Sequence, residues 1–366
     1  MNKTLMCIAT SSLMSLPALS HADSPYFSLK DGDGFKRFSV SVGALYVKPT
    51  GKAQPFNINT AVAEGEKVKV GDISIDSVKK NMDPDMDPNF SSEFIKIIEK
   101  LGGTTLPASL SGSATVTGLE SWELPQAGLE ADDVATLGIM TNYFFTDNIS
   151  FEIKAGLPPK VDIQGKGQIY APFSAIATPS IDLIEQIPGG IDLPPISMKN
   201  NLPITDLSAH DTAATARAWT PAFEFQYHFG KTGVNKFRPY VGAGLMYAYF
   251  NELEINKGIE SDLINAGHMM INIKENNAGA ALDGKPSSGN PKVKLEADDA
   301  FAPVVTAGFT YDFNDRWFAV GSVSYTHLST DATINISDEK YGNLINAKTK
   351  IEINPILAYA GIGMRF

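Results

Sequence analysis

At 366 residues the chain is long enough for two or three average domains, or for one large β architecture carrying long loops. Hydrophobic residues make up 43% and charged residues 19%, which argues against disorder as the main state. Acidic residues outnumber basic ones 41 to 30, a net charge of -11, which argues against a polyanion-binding surface and hence against nucleic acid; the single Cys7 excludes an intrachain disulfide and a multi-cysteine metal site.

In chain order, the first segment has a basic start (Met1-Asn2-Lys3), an apolar stretch from Leu5 to Leu19 and small residues Ser20 and Ala22 around His21. It reads as a signal peptide over 1–22, cleaved after Ala22, leaving 23–366 as one barrel domain. Beyond it no run approaches the ~18 consecutive apolar residues of a membrane helix. Instead, eight segments alternate in period two, the strand signature: 38–47, 135–145, 149–157, 219–229, 240–249, 306–313, 317–328 and 356–366. In the fourth, Trp219, Pro221, Phe223, Phe225, Tyr227 and Phe229 share one face, while Thr220, Ala222, Glu224, Gln226 and His228 share the other. Small or charged residues fill the second face of most of the others.

The connections alternate in length. Short turns fall at 146–148, 230–236 and 314–316, and long connections at about 48–133, 164–217, 254–299 and 337–351. Each short turn follows an aromatic triplet: Tyr143-Phe144-Phe145, Tyr227-His228-Phe229 and Tyr311-Asp312-Phe313. Period two sets the outer rings of each triplet at one depth, as in the aromatic girdle of a membrane barrel. The expected fold is all-β: an eight-stranded antiparallel transmembrane β-barrel of the bacterial outer membrane, with long extracellular loops containing short helices. Within the loops, the spacing of Phe94, Ile97, Ile98 and Leu101 before Gly102-Gly103 predicts a helix over 89–101 that caps the mouth. Five prolines and Gly189-Gly190 predict irregular structure over 176–203. Leu-Glu-Ala-Asp-Asp occurs at 129–133 and again at 295–299. Each copy precedes a strand descending from the long-loop side, so Asp132, Asp133, Asp298 and Asp299 are expected at the extracellular rim. Carboxylates there suit the divalent cations that bridge lipopolysaccharide.

A narrow eight-stranded lumen is filled by side chains rather than water. Glu152, Lys154, Glu224, His228, Arg238, Asp312 and Arg365 face inward towards the short turns, where charges must pair or stay hydrated, so a salt-bridge plug is expected. A closed base requires a sideways exit. Pro158 and Pro159, near the outer end of the third strand, lack ladder donors and mark a weak place in the wall. His210, His228, His268 and His327 show no paired-ligand spacing, and the acidic run 83–87 lacks the glycine and final glutamate of a calcium loop. With no nucleophile elbow, phosphate loop or zinc motif, no enzyme, metal or cofactor is expected.

The motifs YFFTDNISFEIKAGLPPKVDI (143–163), FQYHFG (225–230), KFRPYVGAGLMY (236–247), DFNDRWFAVGSVSY (312–325) and INPILAYAGIGMRF (353–366) resemble the OmpW family of small outer-membrane barrels. The resemblance implies a passive channel for small, mainly hydrophobic molecules, with Pro158 at a lateral gate. It also makes Phe366 look like the assembly signal read by the barrel insertion machinery. Two departures stand out: the loops are much longer than usual, and Ser324 stands where the family commonly has a tryptophan, which predicts tolerance of more polar solutes. The expected partners are outer-membrane lipid, lipopolysaccharide, the barrel assembly machinery and small apolar solutes. The long loops leave a second function open, a structural or adhesin-like barrel without transport.

Overall fold

The computed structural model of the chain describes residues 36–180 and 194–366; the expected signal peptide lies outside them. Eight strands form the wall: β1 (Phe38–Lys48), β2 (Val134–Phe144), β3 (Ile149–Gly156), β4 (Ala222–His228), β5 (Phe237–Ile255), β6 (Ala300–Asp312), β7 (Trp317–Thr326) and β8 (Ile356–Arg365). Each pairs antiparallel with its sequence neighbour, and β1 also pairs with β8, Ser39 opposite Arg365 and Lys48 opposite Ile356. The sheet is therefore a closed eight-stranded antiparallel barrel, which leaves no edge for lipid to desolvate.

Period two sorts the side chains as the sequence implied. Val42, Leu137, Phe225, Val241, Leu245, Val305, Val323 and Ile362 are exposed on the outer surface, while Ser39, Ser150, Glu224 and Thr306 are buried in the lumen. Apolar-out and polar-in is the pattern of a barrel in lipid. At the base, the outer rings of each triplet meet edge to face: Tyr143 with Phe145 at 5.3 Å, Tyr227 with Phe229 at 5.1 Å and Tyr311 with Phe313 at 5.9 Å. An upper belt contains Tyr46, Tyr247, Phe301 and Tyr325. From Phe237 to Tyr247 along β5 is ten residue steps, about 33 Å of strand and about 25 Å of height at the tilt of such barrels, the thickness of the apolar band. Phe366 closes the β8–β1 seam, its N–H donating to the Phe38 carbonyl at 2.8 Å and its ring lying 6.0 Å from that of Phe38.

Inside, glycine gives the large rings room. A Cβ on Gly308 would lie 2.5 Å from the Tyr240 ring, and one on Gly363 would lie 2.2 Å from the Phe318 ring. The small faces of β6 and β8 thus let rings from neighbouring strands lie across the lumen.

The long connections fold together into a cap with its own core, built around Phe56, Ile98, Leu119, Ile271, Ile336 and Leu344. Helices are present as expected, but strands dominate. One sheet orders Lys292–Ala297, Ser329–Asp338, Gly342–Glu352, Ala53–Thr60 and Ser121–Leu124; another orders Ile196–Asp206, Gln168–Thr178, Ser113–Thr117 and Glu66–Lys69. β5 continues past the membrane band and carries a third ladder upward through Ala214–Trp219, Lys160–Lys166 and Gly128–Ala131. The anticipated helix spans Pro88–Gly102, capped by the Asp87 carboxylate, with proline in its first turn and Gly103 at φ 68° after its end. A longer helix, Lys257–Lys274, was not anticipated; the Asn256 side chain caps it by accepting from the Gly258 N–H.

The irregular structure expected over 176–203 is corrected at both ends. Gln168–Thr178 and Ile196–Asp206 pair from Gln168 opposite Asp206 to Ala177 opposite Ile196. The prolines do not prevent this, because Pro179, Pro194 and Pro195 fall outside the paired segments and Pro203 sits beside the register shift at Ile169/Tyr170, where a ladder donor is dispensable. The segment 181–193 lies outside the described residues.

Candidate functional site

The lumen is layered by charge. At the base, Arg365 Nη1 meets Asp312 Oδ1 at 2.6 Å, both nearly buried, and the guanidinium lies 4.4 Å from the centre of the Phe318 ring. Beside it, Arg238, only 1% exposed, is held by the short turns: Nη1 donates to Thr232 Oγ1 at 2.6 Å, Nη2 donates to the Asp147 carbonyl at 2.5 Å, and Asp147 Oδ1 is 3.3 Å away. The His228 ring lies between Phe144 at 5.0 Å and Tyr240 at 4.8 Å, with Nε2 bonded to Ser150 Oγ at 3.2 Å. Cations, their carboxylates and stacked rings thus meet across the base, where each guanidinium is matched by a carboxylate of the protein.

One layer up, the Lys154 ammonium reaches Glu224 Oε1 at 2.6 Å, Thr306 Oγ1 at 2.8 Å, Ser324 Oγ at 3.1 Å and Glu152 Oε1 at 3.4 Å. Asn142 Nδ2 donates to Glu152 Oε2 at 2.7 Å. Register explains the meeting: Glu152 and Glu224 face each other across β3 and β4, and Thr306 and Ser324 across β6 and β7. Ser324 is thus part of the lysine's cradle, and an indole there would take the space of the ammonium and its partners. Above this layer the lumen turns apolar, with Ala222, Met246, Ala302, Val304, Leu328 and Leu357 buried together.

The wall is broken at the level of that apolar layer. The β3–β4 ladder runs from Ile149 opposite Tyr227 to Lys154 opposite Ala222, and pairing resumes only at Lys160 opposite Arg217. Leu157 turns its N–H to the β2 side, donating to the Leu137 carbonyl at 3.0 Å. By strand alternation the next nitrogen, that of Pro158, faces β4 and has no hydrogen to give. The Pro158 carbonyl accepts instead from Arg217 Nη1 at 3.1 Å, and Arg217 Nε donates to Glu252 at 2.8 Å. Beside that side-chain contact, a backbone bond from the Ala218 N–H to the Pro159 carbonyl, at 3.1 Å, spans the break. On the other side of β4 the wall stays intact, Tyr247 N–H donating to the Pro221 carbonyl at 2.9 Å. Leu157 lies eight residue steps above Ile149, about 26 Å of strand and about 20 Å of height, so the break faces the outer leaflet.

Two cavities meet here. The upper one, about 90 Å³, lies between cap and barrel among Leu129, Val161, Ala216, Phe250, Leu295 and Ile353. The lower one, about 50 Å³, runs from Met246 and Leu357 down to Lys154 and Glu224 and sideways to Gly156, Leu157, Pro158 and Pro159. Val47, Pro159, Ala218, Thr220, Met246 and Leu357 line both.

All seven inward charged residues named from the sequence face the lumen, in two sets: Lys154 with Glu152 and Glu224, and Arg238, His228, Asp312 and Arg365 at the base. Sequence reasoning missed their partners Asp147, Thr232 and Thr306, because period two gives the facing of a strand but not its neighbour across the barrel, and it missed Arg217, which donates to the Pro158 carbonyl. The rim aspartates sit apart. Asp133 accepts from the Tyr46 hydroxyl, Asp299 from Tyr247 at 2.8 Å and Asp132 from Gln164 at 3.1 Å, while the Asp298 N–H donates to the Asp331 carbonyl at 3.0 Å. Among the described residues no three His, Cys, Asp or Glu side chains gather as a metal-binding group.

Comparison with known proteins gives three findings. The OmpW family profile matches residues 279–366. Outer membrane protein W of Vibrio cholerae serotype O1 is 29% identical over 242 residues, 66% of this chain and 78% of that protein. Among solved structures, OprG from Pseudomonas aeruginosa aligns over 92% of this chain and 99% of its own, with 14% identity and a TM-score of 0.44; AlkL in lipid bilayers aligns over 93% and 95%, with 15% identity and a TM-score of 0.39. With the closed barrel and its two aromatic belts, these matches make the chain similar to OmpW-family proteins over its last quarter and to outer membrane protein W over two thirds of its length, and it is a protein of the bacterial outer membrane.

Proposed function

We propose that this barrel is a passive channel through which small, mainly hydrophobic molecules pass from the cap into the outer leaflet, leaving sideways between β3 and β4. The observation that carries the reading is the junction of cavity and break: the lower cavity is walled by Pro158 and Pro159 where the ladder has lapsed. The plugged base supports it, since a solute descending the axis would have to displace the Arg365–Asp312 and Arg238–Asp147 pairs. Passage needs no catalysis, only an apolar path that the lipopolysaccharide surface lacks.

Pro158→Ala supplies a ladder donor towards β4. One added hydrogen bond is worth about 1 kcal/mol, so uptake of labelled n-octane by vesicles with a lipopolysaccharide outer leaflet is expected to fall roughly five-fold, with the heat-modifiable mobility of a folded barrel retained. Unchanged uptake would remove the lateral exit. The folded cap favours a second reading, a surface-interaction barrel without transport; uptake no faster than in protein-free vesicles would establish that alternative.

Phe366 is proposed as the residue presented to the barrel assembly machinery, since its ring and N–H close the last seam. Deleting it is expected to lower the amount of protein in the outer membrane several-fold, checked by fractionation; normal levels would reduce Phe366 to a girdle residue.

A further inference from the structure

The lower cavity is apolar above and polar below. Leu45, Val304, Met246 and Leu357 form its sides, while Lys154, Glu224, Ser322 and Ser324 form its floor. A channel for plain hydrocarbon has no use for such a floor, and burying it costs free energy unless its groups are satisfied.

The floor has an excess of acceptors. Lys154 has three N–H donors, and Glu224, Thr306, Ser324 and Glu152 all compete for them. Glu224 is fully buried, and although Oε1 takes the ammonium, Oε2 has no hydrogen-bond partner among the described residues. Two carboxylates, Glu152 and Glu224, share one ammonium. The charges below do not redress the balance, because Arg365 is matched by Asp312 and Arg238 by Asp147.

We infer that the preferred solute is an amphiphile, an apolar chain ending in a neutral hydrogen-bond donor such as a primary alcohol, whose hydroxyl donates to Glu224 Oε2 while its chain lies along Met246 and Leu357. This inference rests on the channel reading above and sharpens its substrate class. A hydrocarbon end leaves Oε2 unmatched. A carboxylate head meets two carboxylates, and a like charge brought into a desolvated site is repelled. A hydroxyl donates to Oε2, and its own oxygen can accept from Ser322 or Ser324. The same floor supplies a stop: a molecule held by its head keeps its tail at the level of Leu157 and Pro158, beside the break.

The test uses the full-length protein in vesicles with a lipopolysaccharide outer leaflet and three labelled probes of one chain length, 1-octanol, n-octane and octanoate, at neutral pH. Rates are taken above protein-free vesicles. Octanol is expected to enter more than about ten-fold faster than octane, the order of preference that a hydrogen bond to a charged acceptor supplies, with octanoate slowest. Glu224→Leu should bring the octanol-to-octane ratio to about one. Glu224→Gln keeps an acceptor and removes the charge, so it should retain the alcohol preference and admit octanoate more readily. Heat-modifiable mobility confirms that each variant is folded. Equal rates for octanol and octane in the native protein, or a ratio unchanged in Glu224→Leu, would overturn the inference and leave the channel standing. Rates no higher than in protein-free vesicles for all three probes would overturn the channel and the inference together.

Discussion

Replacing Ile271 with aspartate (Ile271→Asp) is expected to unfold the cap while the barrel stays folded. Ile271 is fully buried in the helix Lys257–Lys274, inside the core that the four long connections share. A carboxylate placed there has no cation to meet, and an unpaired buried charge costs more than about 4 kcal/mol, a large part of the 5–15 kcal/mol that holds a typical domain. The barrel draws its stability from its own ladders and from lipid. Limited proteolysis should therefore cut the variant within the cap, while electrophoresis with and without heating still shows the mobility shift of a closed barrel. Loss of both would mean that cap and barrel form one cooperative unit, and resistance of both would contradict the placement of Ile271.

The second large effect is expected at the opposite end of the molecule. Asp312→Ala leaves the Arg365 guanidinium, 4% exposed, without its carboxylate. Breaking a buried pair from one side costs about 3–5 kcal/mol, because the remaining charge keeps its desolvation penalty and loses its compensation. Asp312→Asn retains an acceptor for the Nη1 hydrogen and should cost about half as much. Urea unfolding of the barrel in lipid vesicles measures both, and the ordering Ala below Asn below native is the expected result. Because the pair is shielded, the difference should change little with salt. Equal midpoints for all three proteins would show that the base is hydrated and the plug is not closed.

How much of this was legible depended on whether a residue's role is set by its own strand or by another. Lipid and lumen impose opposite demands on alternate residues, so the wall could be read strand by strand, and the triplets at 143–145, 227–229 and 311–313 marked the base three times over. The plug was legible as a list of inward charges but not as pairs, since Lys154 finds Thr306 and Ser324 more than 150 residues away. The break was half legible. Pro158 carried its signal locally, whereas Arg217, which takes the Pro158 carbonyl, lies in a cap strand whose alternation, Ala-Thr-Ala-Arg-Ala-Trp, is too weak to stand out. Cap strands such as Ser113–Thr117 and Lys292–Ala297 are short and polar on alternate positions, and their partners are remote, so nothing local distinguished them from loop. The helix Lys257–Lys274 did leave a trace: Ile259, Leu263, Ala266, Met270 and Ile273 repeat at helical spacing behind the Asn256 cap.

The seam between β1 and β8 also sets the order in which the molecule can be built. The cap strand Ala53–Thr60 begins just after β1, and its partner Gly342–Glu352 ends just before β8, so the Thr349 to Gln54 hydrogen bond joins residues 295 apart. Closing a free loop of that length costs about 3 kcal/mol more than closing one of about ten residues. Once Lys48 lies opposite Ile356, the two cap strands are already neighbours and most of that entropy has been spent by the barrel. The cap sheet is therefore a late, high-contact-order structure whose nucleus is the finished wall. Until the last strand docks, Phe56, Ile58, Ile345 and Ile351 have no core to enter, so the exposed apolar surface of the unclosed chain reports an incomplete barrel, and its disappearance marks completion.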